Sequence, residues 1–98
     1  MSVYGICTIQ ITDRDEFDRY QHGFMKIFEQ FEGELLVVDE APIVKEGEWP
    51  YSRTVVARFP NREALNLWYH SDAYQALVQH RFKAATGNFV VVAGLAPE

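Results

Sequence analysis

The first third of the chain passes from a short run of apolar residues into a longer stretch with helical spacing. Val3–Ile11 is rich in β-branched and apolar residues and predicts a strand. After it, Asp13 with Glu16 three residues later is typical of a capping box at the start of a helix. The spacing then predicts a helix from about Asp13 to Glu32, ended by Gly33. Its apolar stripe consists of Phe17, Tyr20, Phe24, Ile27, Phe28 and Phe31.

The remainder of the chain predicts three more strands and a broken helix. Leu35–Val38 predicts a second strand, and a long loop with Pro and Gly separates it from a third strand at Arg53–Phe59. A helix, interrupted at His70-Ser71 where Ser71 can cap a new turn, then runs to about Thr86-Gly87. A fourth strand follows at Phe89–Leu95. The core positions expected in the broken helix are Ala64, Leu65, Leu67, Trp68, Tyr74, Leu77, Val78, Phe82 and Ala85.

The order β-α-β-β-α-β is the split βαβ arrangement of ferredoxin-like folds. Right-handed crossovers place both helices on one face of a four-stranded antiparallel sheet. The first and last strands carry apolar residues on both faces, for example Ile6, Val90 and Val92, so the face without helices must also be covered. A second copy that packs sheet against sheet is the economical cover. We therefore expect one α+β domain over residues 1–98 that forms a homodimer through its sheet face.

Composition excludes several classes of protein. The 98 residues contain nine Lys and Arg against fourteen Asp and Glu, a net charge of -5 with the signs interspersed, so nucleic acid is not an expected partner. One cysteine forms neither an internal disulfide nor a thiolate metal site. No apolar run approaches the roughly 18 residues of a membrane span. The N-terminus, Met1-Ser2-Val3-Tyr4, lacks the features of a secretory signal, so we expect a cytoplasmic protein.

Several short motifs together resemble a known family. They are Glu46-Gly47-Glu48-Trp49, Arg53-Thr54-Val55-Val56, Phe59-Pro60, Trp68-Tyr69, Ser71, Tyr74-Gln75 and Arg81. In this order and spacing they resemble the domain-of-unknown-function family numbered 1330 over nearly the whole chain. That family looks like part of the dimeric α+β barrel superfamily, in which two ferredoxin-like chains pack sheet to sheet and pockets lie between sheet and helices. The superfamily includes cofactor-free monooxygenases, muconolactone isomerase and haem-dependent enzymes, so the resemblance implies a dimeric α+β barrel.

Two arginines stand among apolar residues. Arg81 lies in the middle of the apolar stripe of the last helix, where an unpaired guanidinium costs several kcal/mol. Its partner is an internal carboxylate, a run of backbone carbonyls or the acid group of a ligand, and the sequence leaves these alternatives open. Arg53 lies on the same face of its strand as Val55 and raises the same question. Two neighbouring cations would favour a carboxylate or enolate ligand.

Aromatic residues complete the candidate site, since small-ligand pockets are mostly apolar with a few inward polar groups. Their alternative role is packing in the core or at an interface. The candidate ligand-binding residues are Arg81, Arg53, Trp68, Tyr69, Tyr74, Tyr4 and Trp49.

The histidines argue against a metal or haem site. His22 lies opposite the apolar stripe of its helix, His70 lies at the helix break, and His80 projects away from the apolar face of its helix. They share no ligand spacing, so we expect no metal, haem or other cofactor. His70 or His80 remains a candidate acid or base if a dimer brings it to a pocket mouth.

Three functions remain open at this point. The first is a small dimeric domain that binds a small acidic or aromatic molecule between sheet and helices, held by Arg81 and Arg53. The second is a cofactor-independent enzyme of the dimeric barrel type, isomerase-like or monooxygenase-like. The third is a structural or partner-binding dimer without a ligand, whose arginines pair internally.

Overall fold

A computed structural model describes residues 1–95 as one antiparallel sheet with three helices. The elements are β1 (Val3–Ile11), α1 (Arg14–Phe28), β2 (Glu34–Asp39), β3 (Arg53–Phe59), α2 (Arg62–Tyr69), α3 (Asp72–Ala84) and β4 (Ala85–Ala93). The sheet order β2-β3-β1-β4 confirms the predicted α+β, ferredoxin-like fold, and the break at His70-Ser71 divides the second predicted helix into two.

The two faces of the sheet differ in burial. Along β1, the alternate residues Val3, Gly5, Cys7 and Ile9 are buried under the helices. The residues that alternate with them, Tyr4, Ile6 and Thr8, are only partly buried. Pairing with β3 and β4 extends both faces across the sheet. On the face without helices, Val90 and Val92 are 49% and 41% exposed. We call this second surface the open face; its central residues are Tyr4, Ile6, Val56, Val90 and Val92.

Helix α1 begins after Asp13, as predicted, but it ends at Phe28 rather than at Glu32. The chain then turns sharply and passes between core rings: a Cβ on Gly33 would lie 2.5 Å from the Phe28 ring and 2.6 Å from the Phe59 ring. Only glycine allows this approach, so Gly33 carries the chain into β2, five residues after the helix ends. With 15 residues α1 is the longest helix, and within residues 1–95 no helix is long and apolar enough to cross a membrane.

The end of the last helix is also earlier than predicted. Helix α3 stops at Ala84 and β4 starts at Ala85, so the predicted end near Thr86-Gly87 is wrong. The Ala84 carbonyl accepts hydrogen bonds from the backbone N–H groups of Thr12 and Asp13, at 2.7 and 3.1 Å. These bonds satisfy a helix-end carbonyl and tie the end of α3 to the junction of β1 and α1. Strand pairing with β1 therefore replaces the last predicted helical turn.

Two residues assigned to the core from helical spacing lie at the surface. Leu67 in α2 is 66% exposed and Phe82 in α3 is 54% exposed. Helix α2 instead packs through Ala64, Leu65 and Trp68, which are at most 5% exposed. A helix with few residues on the core presents a narrow stripe, and these two positions fall outside it.

Trp68 is the centre of the aromatic core. It is 3% exposed, and six rings have centroids between 4.3 and 6.2 Å from its own. These rings come from α1, the sheet and both later helical segments, so a single side chain joins the layers. They belong to Phe24, Phe28, Phe59, Tyr69, Tyr74 and Phe89.

Candidate functional site

A cavity of about 150 Å³ lies between the sheet and helices α1 and α3. Its walls are mostly apolar and aromatic side chains from all four strands and all three helices. Three of its lining residues are exposed to solvent, Gln21, Met25 and Val38. They belong to α1 and β2, so the mouth of the cavity opens between these two elements.

Arg81 lies on the wall of this cavity and is only 8% exposed. The helical spacing that suggested burial is confirmed, because Val78 and Ala84, three residues to either side, are fully buried. No carboxylate of residues 1–95 lies within 4.0 Å of the Arg81 guanidinium. Its hydrogen bond is to the Sγ atom of Cys7, 3.4 Å from Nη1, and a thiol is a weak acceptor.

Aromatic rings surround the Arg81 charge. The guanidinium carbon lies 5.7 Å from the centroid of Tyr20, 5.5 Å from that of Phe82 and 6.0 Å from that of Phe89. Such contacts offset part of the desolvation cost of a cation without neutralising it. Burial lowers the pKa of Arg81, but Tyr74 and Tyr20 raise it and the net direction is upward, so the side chain is charged at neutral pH.

Two tyrosine hydroxyls meet inside the cavity lining. The oxygens of Tyr20 and Tyr74 are 2.7 Å apart and share one hydrogen bond. Burial raises the pKa of both phenols, so both are neutral hydroxyls at neutral pH. One hydroxyl donates its proton to the other, so the proton of the second hydroxyl is available to donate to a ligand. Among the described residues, the buried Nε1 of Trp68, which also lines the cavity, has no hydrogen-bond partner.

Cys7 contributes a neutral group beside Arg81. It is buried on β1, as the sequence predicts, and lines the cavity. Burial raises the pKa of its thiol, although the charges of Arg81 and Arg53 act in the opposite direction. Cys7 is therefore a thiol at neutral pH and does not serve as the anion that Arg81 lacks.

Arg53 lines the same cavity but has an internal partner. Its Nη1 atom donates to the Glu40 carboxylate at 2.7 Å, and Glu40 also accepts from Arg14 of α1 at 3.3 Å. The hydrogen bond from Arg53 holds the pKa of Glu40 below its usual value. The guanidinium carbon of Arg53 lies 5.2 Å from the Phe17 ring centroid. The two arginines are thus unequal, since only Arg53 is paired with a carboxylate of the described chain.

The structure brings only part of the candidate set together. Tyr69 packs behind the cavity, stacked on Phe89 at 5.5 Å. Tyr4 belongs to the open face of the sheet. Trp49 lies in the loop before β3, 42% exposed and edge-on to Tyr51. The candidates that line the cavity are Arg81, Arg53, Trp68 and Tyr74.

The histidines lie away from the cavity lining. His22 and His70 are exposed. His80 Nδ1 lies 2.5 Å from the carboxylate of Glu16, and this hydrogen bond, with one from Arg19, lowers the pKa of Glu16. Asp13 accepts from the Glu16 N–H at 3.1 Å, but the Glu16 carboxylate is engaged elsewhere, so the capping box is only half formed. No group of three metal-ligating side chains occurs within residues 1–95.

Sequence reasoning did not single out Tyr20 and Glu40. The available signal for Tyr20 was a hydroxyl on an otherwise apolar stripe, but its partner Tyr74 is 54 residues away. Glu40 follows another acidic residue, Asp39, and its pairing with Arg53 depends on how the following loop returns to the sheet.

Solved structures share this fold at low sequence identity. A protein of unknown function from Rhodopseudomonas palustris superposes with a TM-score of 0.79 at 15% identity, over 98% of this chain and 84% of that one. A dimeric ferredoxin-like protein of unknown function from Jannaschia sp. CCS1 gives a TM-score of 0.72 at 11% identity, over 96% of this chain and 100% of that one. SnoaB, a cofactor-independent oxygenase from Streptomyces nogalater, gives a TM-score of 0.70 at 11% identity, over 99% of this chain and 98% of that one.

At these identities the structural similarity establishes the fold alone. None of the curated protein sequences compared with this chain matches it. The family model for the domain of unknown function DUF1330 matches residues 2–95, nearly the whole chain. The match includes the segments around Trp68, Tyr74 and Arg81, and the chain belongs to the DUF1330 family.

Proposed function

We propose that the cavity binds a small organic acid, with the anionic group of the ligand on Arg81 and an aromatic or aliphatic body against the apolar walls. The observation that carries this proposal is the buried guanidinium of Arg81, which faces an apolar cavity and has no carboxylate partner within residues 1–95. A ligand carboxylate would supply the missing charge-assisted hydrogen bonds.

The size and lining of the cavity narrow the class of ligand. An apolar cavity of about 150 Å³ holds a molecule the size of benzene. The lining supplies aromatic faces from Phe17, Phe24 and Trp68. Near the charge, the Tyr20–Tyr74 pair offers a neutral hydroxyl donor. A monocyclic aromatic acid or a short branched aliphatic acid matches this combination.

The open face of the sheet supports a second part of the proposal, a homodimer formed sheet to sheet. Its apolar residues have no cover among residues 1–95, and structural neighbours include proteins described as dimeric. A four-stranded face measures roughly 20 by 25 Å. Two copies would then bury about 1,000 Å² in total, the lower limit of a specific interface.

Three further sequence expectations belong to the same proposal. The protein is cytoplasmic, it binds no nucleic acid, and it needs no metal, haem or other cofactor. The net charge of -5 supports the second expectation, because a phosphate backbone binds positive surfaces. They stay predictions.

A cofactor-independent enzyme is the alternative that the cavity supports. Its supporting observation is the grouping of the Arg81 guanidinium with the hydroxyls of Tyr20 and Tyr74, since fixed donors stabilise an enolate in a dry site. SnoaB, which has the same fold, is a cofactor-independent oxygenase.

The ligand proposal is tested by titrating the protein with benzoate and with its neutral isostere benzamide. We expect benzoate to bind and to raise the Tm, because a ligand at 100 times its Kd adds about 2.7 kcal/mol to the stability of the native state. Benzamide should bind at least about tenfold more weakly, since it lacks the charge that Arg81 needs. Equal affinities, or no binding of any small monocyclic or aliphatic acid, would contradict the proposal.

The role of Arg81 is tested by denaturant unfolding of Arg81→Leu, with Arg81→Met as a variant closer in volume. Removing an unpaired buried charge strands no partner, so the free energy of unfolding should be unchanged or higher, while benzoate binding is lost. As a comparison, Arg53→Leu breaks an ion pair and should lose about 1 kcal/mol or less. A loss of roughly 3 to 5 kcal/mol in both Arg81 variants would instead indicate a structural partner.

The sheet-face dimer is tested by light scattering at micromolar concentration. We expect the mass of a dimer for the unchanged protein and of a monomer for Val90→Glu, because the carboxylate would be buried in an apolar interface. Leu67→Glu, on the exposed side of α2, is the matched control and should remain dimeric. A monomer mass for the unchanged protein rejects this interface.

The enzyme alternative is tested with small enolisable acids such as phenylpyruvate in deuterated water. Stabilisation of an enolate should speed the exchange of the α-protons with deuterium, which is measured as the loss of their NMR signal. The variants Arg81→Leu and Tyr74→Phe should slow this exchange. Exchange at the rate of buffer alone would reject enolate chemistry on these acids and leave the binding proposal standing.

A further inference from the structure

Two guanidinium groups line one cavity, but they differ in charge balance. The Arg53 side chain is 14% exposed and lies 2.7 Å from the Glu40 carboxylate. Arg81 has no such partner within the described chain and donates only to a thiol. The rings of Phe17 and Tyr20, whose centroids are 5.6 Å apart, lie under Arg53 and Arg81 respectively. In the cavity, the charge of Arg53 is therefore balanced by Glu40, whereas no carboxylate of residues 1–95 balances the charge of Arg81.

Glu40 pairs with Arg53, a residue that lines the cavity, at a point where three elements meet. It is the first residue after β2, and its Oε2 atom accepts from Arg53 at the start of β3 and from Arg14 at the start of α1. Its side chain is 39% exposed, so it can be replaced without opening the core. The carboxylate thus accepts a hydrogen bond from Arg53 that an anionic group of a ligand would otherwise accept.

We propose that Glu40 determines which ligand charge the cavity accepts. Its carboxylate pairs with Arg53, which leaves only Arg81 for an anionic group of a ligand and restricts the cavity to monocarboxylates. This inference rests on the proposed acid-binding function of Arg81. A dicarboxylate would have to bring its second charge toward Glu40 or displace Glu40 from two arginines. Either step is unfavourable, and repulsion of this kind is an effective source of specificity.

The surroundings of Arg53 keep this arrangement in place. The cation lies over the Phe17 ring, a buried residue of α1 that is 1% exposed. Arg53 is also fixed by strand pairing with Ile9. If Glu40 were neutral, the guanidinium would remain at the cavity wall and a second ligand carboxylate could bind it.

The test compares Glu40→Gln with the unchanged protein by calorimetric titration. The probes are benzoate and the three benzenedicarboxylates, which carry equal charge at different spacings. The unchanged protein should bind benzoate at least about tenfold more tightly than any of the three. Glu40→Gln should bind at least one isomer about tenfold more tightly than the unchanged protein does, the gain of one charge-assisted hydrogen bond. Its affinity for benzoate should change little.

The matched control is Glu34→Gln. Glu34 is paired with Arg58, whose side chain is 48% exposed, and neither residue lines the cavity. This variant changes the net charge by the same amount and should alter no affinity. The double variant Glu40→Gln with Arg53→Gln should lose the gain for dicarboxylates, because the gain requires the Arg53 charge.

The outcomes separate the two proposals. If benzoate binds and Glu40→Gln leaves dicarboxylate affinity unchanged, or raises benzoate affinity equally, Glu40 has no selective role although acid binding stands. Equal binding of benzoate and a dicarboxylate by the unchanged protein also rejects the inference, and this measurement needs no variant. If the unchanged protein binds none of the acids, the acid-binding function itself is rejected.

Discussion

The charge of Arg81 is the constraint around which the cavity is built. Transfer of a guanidinium from water into the layer between helices and sheet costs several kcal/mol unless opposite charge or strong acceptors replace the water. Here the replacements are three aromatic rings and one thiol. The ring faces offset part of that cost through cation–π contacts, whereas aliphatic side chains packed directly on the cation would add to it. A charged group of this kind is therefore compatible with the small cavity beside it, and an anion bound in that cavity would complete its environment.

The elements of the fold could be predicted from the sequence because their signals are local. The run of β-branched and apolar residues identifies β1, and Asp13 and Ser71 cap helices where the sequence predicts them. The end of α3 could not be predicted, because the donors for the Ala84 carbonyl belong to Thr12, 72 residues earlier, and to its neighbour Asp13. Helical spacing also misplaced Leu67, since spacing tells which residues share a stripe but not how wide the packed stripe is.

The candidate site was predictable to the same extent. A charged residue on an apolar stripe identifies Arg81 without any knowledge of its neighbours, and its burial is confirmed. The sequence also raised the question of a partner for Arg53, and the answer, Glu40, is thirteen residues away beyond a loop whose course has no periodic signal. The pairing of Tyr20 with Tyr74 likewise depends on the packing of α1 on α3. The pattern along the sequence could therefore predict which polar residue is buried, whereas the partner of each side chain required the tertiary structure.

A single strand separates the two surfaces to which function is assigned. In β1, Cys7 faces the cavity and the adjacent Ile6 faces the open face, so a slip of one residue would exchange the two surfaces. Gly5 opposes such a slip: a Cβ there would lie 2.8 Å from the Phe89 ring, so a neighbouring side chain at that position would displace the ring. Because Phe89 is one of the rings around the Arg81 guanidinium, the register of β1 and the environment of the buried charge depend on the same contact.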